Sequence, residues 1–363
     1  MASINELPNP PSDTISSVVF SPDSNKLIVG SWDSGIHVYS NEGSGFQLSK
    51  KIECDAPVLG LAWNPDNNTI YSSGLDHEVA KYSIEQGEES RTVLSSHSQA
   101  ANKVAYSKEL DLVISTSWDG TMNVQDPNTT SYVSVKLDAK PFALSVTHDS
   151  ALVVMAERKL HVFKLQALKQ LLEQAGSTAD EQAPIHAEPW QHRESSLKFM
   201  TRDVACMPDG TGFAASSIEG RVSVEFFDEE QNKNTYAFKC HREKTTVTSA
   251  GENGGEEEKT VDIVYPVNAV AFHPSHGSFA TGGGDGIVAL WDAKNKRRIR
   301  AYPKLAASVA TLDFSADGRR LAIGVSPGFE DGREEEEPDP SLVKVYVREL
   351  EEGETKAKAP KAK

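Results

Sequence analysis

Cysteine is scarce: three thiols in 363 residues, Cys54, Cys206 and Cys240, stand far apart. That usage fits a reducing compartment and argues against both a disulfide framework and a cysteine-based zinc site. Long apolar runs are missing too. None approaches the roughly 18 to 20 residues of a membrane-crossing helix, so no membrane partner is expected. Met1 to Pro11 is polar, with no basic stretch leading into an apolar one, and reads as no secretory signal. Positive charge is in deficit, 37 Lys and Arg against 53 Asp and Glu, for a formal net charge of −16. A duplex binder neutralises phosphates with clustered Lys and Arg, so direct nucleic-acid binding is not expected, although a small basic patch can sit inside an acidic total. What is present is globular. The chain is 38% hydrophobic with 5 Trp, 9 Tyr and 13 Phe, enough for a sizeable core, and its 25% charged share excludes wholesale disorder.

One phrase recurs along the chain: a short apolar alternation, an aromatic or apolar residue, a small or polar residue, then Pro or a substitute, then Asp. It appears as Val19-Phe20-Ser21-Pro22-Asp23 and Ala62-Trp63-Asn64-Pro65-Asp66, with weaker copies around Tyr106 and Val146, and again around Cys206, Phe272 and Phe314. Four of the six intervals fall at or near the roughly 40 to 45 residues of a four-stranded WD40 blade. After each copy comes a β-rich run such as Leu112-Val113-Ile114-Ser115. A tight turn follows, such as Trp32-Asp33-Ser34-Gly35 or Gly284-Asp285-Gly286, where Gly is expected at the positive-φ position. The third strand then alternates, as in Ile287-Val288-Ala289-Leu290-Trp291-Asp292. The expectation is all-β: a seven-bladed WD40 β-propeller spanning residues 1–350. Its last blade has a third strand near Val343–Val347 but no good fourth. An open edge invites aggregation, so Ile4 to Leu7 is expected to close the ring there.

Three inserts, at about 165–185, 243–262 and 328–340, interrupt the period. Leu165, Leu168, Leu171 and Leu172 have helical spacing before Gly176. Ser249 to Asp262, with Gly251, Gly254, Gly255 and a Glu run, reads as a disordered loop. Gly328 to Pro340, with Glu334 to Glu337, reads as an acidic loop. Residues 351–363 read as a disordered charged tail, either solubilising or a nuclear-import or phosphate-seeking segment.

Catalytic constellations are not found, and no enzyme, catalytic residue, cofactor or metal site is expected. Gly282-Gly283-Gly284-Asp285-Gly286 lacks a following Lys-Ser/Thr, and no His-Glu-x-x-His, Gly-x-Ser-x-Gly or Cys-x-x-Cys occurs. The ten histidines are scattered. His241 and the turn aspartates Asp33, Asp76, Asp119 and Asp285 are read as structural. Two features point to binding instead. Trp32 and Trp118 sit in matching Ser-Trp-Asp turn phrases, which belong on the ring's face. There they serve either as a peptide-contact surface or as packing against a neighbouring turn. Arg221 opens a third strand, and Tyr236 to Arg242 is expected to be its partner, bringing Arg221 near Lys239, His241 and Arg242. That notch suits a phosphorylated peptide, because Arg presents a fork of donors to phosphate oxygens. The alternative is ion pairing with Glu219, Glu225 or Asp228.

The phrases Gly30-Ser31-Trp32-Asp33, Arg193-Glu194-Ser195-Ser196-Leu197-Lys198, Ser217-Ile218-Glu219-Gly220-Arg221-Val222, Tyr236-Ala237-Phe238-Lys239-Cys240-His241-Arg242 and Tyr265-Pro266-Val267-Asn268-Ala269 carry a family likeness. Across nearly the whole chain they resemble the spindle-checkpoint propeller family, the third of the "budding uninhibited by benzimidazole" proteins. A sibling family, the mRNA-export propeller of the nuclear pore, shares some of them and remains the alternative. The resemblance implies a non-catalytic scaffold of the nucleus and mitotic kinetochore, also cytoplasmic. Such a scaffold binds the GLEBS segment of checkpoint kinase or pseudokinase partners and docks them on phosphorylated Met-Glu-Leu-Thr repeats of a kinetochore scaffold. It further implies entry into the inhibitor complex of the anaphase-promoting complex. By matching phrase, Arg221 and Lys239 would hold the phosphate, while Trp32 and Trp118 would border the GLEBS path. Arg242 joins the phosphate site on charge and strand geometry alone.

Overall fold

The computed structural model describes residues 4–43, 45–129, 131–175, 183–250, 256–328 and 339–356. Seven four-stranded antiparallel sheets span 15–53, 58–96, 101–136, 141–194, 201–239, 267–301 and 309–349, the last completed by Ile4–Glu6. The first strands of successive sheets neighbour one another around a closed ring, the seventh against the first. This is the expected seven-bladed propeller. Closure is also as expected: Ile4 pairs with Arg348 and Glu6 with Tyr346, while Leu7 is buried and its N–H donates to Val345 O at 2.8 Å.

Each sheet is sandwiched between two others, so both faces of its second strand are dry. Leu112–Ser117 is buried at all six positions. The apolar core accordingly divides into seven clusters among the described residues, one per interface between blades. The helix Leu165–Ala175 inserts Leu165, Leu168 and Leu172 into the cluster between blades three and four. The chain then returns along the outer edge of blade three, where the Ile185 N–H donates to Ser134 O at 2.8 Å. That edge is thereby covered.

Four readings are corrected. Within 249–262, expected as a disordered loop, Glu256–Val264 pairs with Arg242–Ala250 as a long hairpin, from Arg242 opposite Val264 outward. Alternating Thr and Val residues can satisfy a two-stranded ladder, which the Gly and Glu content had masked. Of the tail expected to be disordered from 351, residues 351–356 turn back instead. The Glu354 side chain is fully buried, accepting from Tyr302 Oη at 2.7 Å and from Arg348 Nη2 at 2.9 Å. Buried Arg348 needs a counter-charge, and Glu354 supplies it. In the first-blade turn it is Ser34, not Gly35, that takes positive φ, at 58°. Gly35 leaves room for a buried pair, since a Cβ there would meet Asp33 Oδ1 at 2.8 Å and His37 Nε2 at 3.0 Å. Finally, the fourth strand of blade five is only Tyr236–Lys239, and Arg242 lies beyond it. The acidic run Glu334 to Glu337 and residues 357–363 lie outside the described residues.

Candidate peptide-binding face

The innermost strand of every blade carries a register shift at its second residue. The seven extra residues are Ser16, Leu59, Asn102, Phe142, Arg202, Asn268 and Ala310. A bulge leaves its extra residue unpaired and re-aims the side chain. All seven border one depression of about 310 Å³, the mouth of the central channel. Nothing in residue type unites a Ser, a Phe and an Arg, so sequence reading missed this ring. Its signal is positional: the second residue of each first strand.

Trp32 and Trp118 line the same depression. Their backbone N–H groups donate to Thr14 O at 2.9 Å and Ala100 O at 3.1 Å, and the equivalent turns repeat that bond, as Ile218 N–H does to Met200 O. The turns between second and third strands therefore all open on one face. Trp32 is 41% exposed. Trp118 is half-buried, with the Lys140 ammonium 4.7 Å from its ring centroid.

In the blade-five turn, Arg221 and Lys239 are directly opposed across the third and fourth strands, so their side chains leave the same side of the sheet. Lys239 is exposed and makes no ion pair among the described residues. Glu219 sits between the other cations. Its carboxylate is 3.5 Å from Arg221 Nε and 3.9 Å from Arg242 Nη2, and its carbonyl accepts from Arg242 Nη2 at 2.8 Å. The ion-pair alternative is thus partly realised, through Glu219, while the local charge stays positive. Arg242 approaches from the root of the hairpin rather than from the strand. Gly220, at φ 61°, permits that approach: a Cβ would meet Cys240 O at 2.8 Å and Val264 Cγ1 at 3.0 Å. Exposed Ile218, next to Glu219, and Val264, opposite Arg242 in the hairpin, border the notch, an apolar margin that residue-by-residue reading had not picked out.

Buried polar networks hold these turns. After Lys239 the chain reaches His241, whose Nδ1 is 2.8 Å from Asp285 Oδ1 and whose Nε2 is 2.8 Å from Thr281 Oγ1. Thr281 Oγ1 in turn accepts from Trp291 Nε1 at 2.9 Å. His241 and Asp285 are structural here. So is Asp33: burial pushes its carboxyl up, but hydrogen bonds from His37 and the Ser12 N–H outweigh that and hold it at about 2. Burial pushes the Cys206 and Cys240 thiols up to about 12, so neither is a nucleophile near neutral pH.

The family model described as "WD domain, G-beta repeat" matches residues 2–40, 46–82, 88–126 and 263–292. The chain is 38% identical to mitotic checkpoint protein BUB3.1 of Arabidopsis thaliana, over 97% of this chain and 94% of that one. It is 33% identical to mitotic checkpoint protein bub-3 of Caenorhabditis elegans, over 97% and 95%. A poly(A)+ RNA export protein of Schizosaccharomyces pombe is 28% identical over 90% and 85%. At 38% identity sustained over nearly the whole ring, the chain belongs to the BUB3 family of mitotic checkpoint WD40 proteins.

Proposed function

We propose that this chain is a non-catalytic spindle-checkpoint scaffold working at kinetochores. In this reading the channel mouth, with Trp32 and Trp118, takes the GLEBS segment of a checkpoint kinase or pseudokinase. Arg221 and Lys239, with Arg242 behind them, take the phosphothreonine of Met-Glu-Leu-Thr repeats. The observation that carries the reading is the opposed pair Arg221 and Lys239, on the face that also bears both indoles. A phosphothreonine adds about −1.5 to −2 charge and strong acceptor oxygens, so docking would follow kinase action. Nuclear and kinetochore localisation, and entry into the inhibitor complex of the anaphase-promoting complex, belong to the same proposal.

Calorimetry with the full chain, a GLEBS peptide and Met-Glu-Leu-Thr peptides with and without phosphate tests it. Binding of the phosphorylated peptide alone is expected; equal binding of both forms would overturn the phosphate site. Recovery of a pore protein and export factor, rather than checkpoint partners, from mitotically arrested cells would favour the export reading.

Two substitutions refine the map. Trp32→Ala is expected to weaken GLEBS binding roughly tenfold, as truncated interface aromatics do, with little change in Tm because the ring is 41% exposed. Unchanged affinity would remove Trp32 from the path. Glu219→Gln should raise phosphopeptide affinity by about threefold, since its carboxylate competes with phosphate for Arg221 and Arg242. A lower affinity would show that Glu219 positions the cations rather than competing for them.

A further inference from the structure

Away from that notch, folding gathers three residues that no sequence spacing connects. His161 lies on the third strand of blade four, Lys159–Lys164, and His192 on its short outer strand, Gln191–Glu194. They are direct register partners. Asp138 comes from the connection between blades three and four. His161 Nε2 is 3.1 Å from His192 Nδ1 and 3.2 Å from Asp138 Oδ2, and the three ligand atoms lie within 4.8 Å of one another.

Hydrogen bonding alone does not satisfy this cluster. His192 Nε2 is 3.0 Å from Glu188 Oε1, so a neutral His192 carries its proton there and turns the Nδ1 lone pair toward His161. One Nε2–H on His161 can then serve either His192 or Asp138, not both. If His192 instead carries protons on both nitrogens and donates to a His161 Nε2 lone pair, that lone pair still faces the Asp138 carboxylate. Each assignment leaves one acceptor without a proton from within the cluster.

A cation accepting all three lone pairs removes the conflict. We propose that Asp138, His161 and His192 form a binding site for a divalent transition metal of the zinc class. Ligand bonds of about 2.0–2.1 Å in a tetrahedral site put ligand atoms about 3.3 Å apart, close to the two short separations here. Two imidazoles and a carboxylate suit zinc better than calcium or magnesium. Glu188 is the carboxylate that orients a ligating histidine through its other nitrogen. The fourth position is left to water or to a partner's side chain. The ion would clamp the outer strand of blade four to the preceding connection.

The test uses the full, tag-free chain after chelator treatment, titrated with zinc chloride by calorimetry and melted with and without the ion. One equivalent at micromolar affinity or tighter is expected, with a zinc-dependent rise in Tm. Buried His161 risks misfolding on substitution, so the variants are at the exposed ligands, His192→Gln and Asp138→Asn. Each should bind at least tenfold more weakly and lose the Tm response. No stoichiometric binding by the wild type, or binding unaltered in both variants, would overturn the site.

Discussion

Replacing Arg221 and Lys239 together by alanine is expected to lower affinity for a phosphothreonine peptide about a hundredfold. The two cations leave one side of the sheet from opposed positions, so one phosphate can accept from both. Hydrogen bonds to charged groups contribute about 1.5–3 kcal/mol each. Both side chains reach solvent, which favours the lower end, and two bonds at that end total about 3 kcal/mol, or roughly a hundredfold. The fold should not notice. Among the described residues Arg221 is ion-paired only with Glu219, at 3.5 Å, and surface substitutions usually move stability by about 0.5 kcal/mol or less. Calorimetry should therefore show phosphopeptide binding lost, with GLEBS affinity and Tm nearly those of the wild type. If the double variant bound the phosphopeptide as tightly as the wild type, the phosphate would have to dock elsewhere.

Asparagine at position 313 should flatten the dependence of stability on pH. Asp313 is half-buried in the inner strand of blade seven, Val309–Phe314, where its Oδ2 accepts from the Phe20 N–H at 2.7 Å. Burial pushes its carboxyl from 3.8 up to about 7, against the pull of backbone N–H groups from Phe20 and Phe314. Between those values the folded chain holds a proton that the unfolded chain has released. Stability from this residue is therefore greatest below about pH 4, falls as pH rises toward 7, and levels off above. At about 1.4 kcal/mol per pKa unit, the loss across that window is up to about 4 kcal/mol. Asn keeps a carbonyl acceptor for Phe20 and has no proton to lose. Denaturant melts at pH 5 and pH 8 should show the wild type losing more stability than Asp313→Asn across the interval. Parallel losses in the two proteins would mean that Asp313 titrates at an ordinary carboxylate value. Asp203, half-buried and likewise raised by burial, accepts from the Val270 N–H at 2.9 Å and contributes alike to both proteins.

Local chemistry explains how much of the face could be read in advance. Trp32, Trp118, Arg221 and Lys239 stand at fixed offsets within a repeat, and a repeat converts offset into place. Arg242 lacks that anchor. His241 turns the chain at φ 47° to reach Asp285 and Thr281, which throws Arg242 off the strand and toward Glu219. The channel-mouth ring was hidden for the opposite reason. Its residues share a position, not a type, and only backbone register reveals a bulge.

Period and turn chemistry were enough, from sequence alone, to specify seven antiparallel blades, because these depend on neighbours within some 40 residues; the closing N-terminal strand followed from the missing fourth strand of the last blade. Contacts outside the repeat answer to no such rule. The hairpin from Arg242, the return of Glu354 to Arg348 and Tyr302, and the meeting of His161 with His192 and Asp138 all lie outside the repeat and came only from the tertiary structure. Burial and register then forced charges and lone pairs from separate segments to find one another.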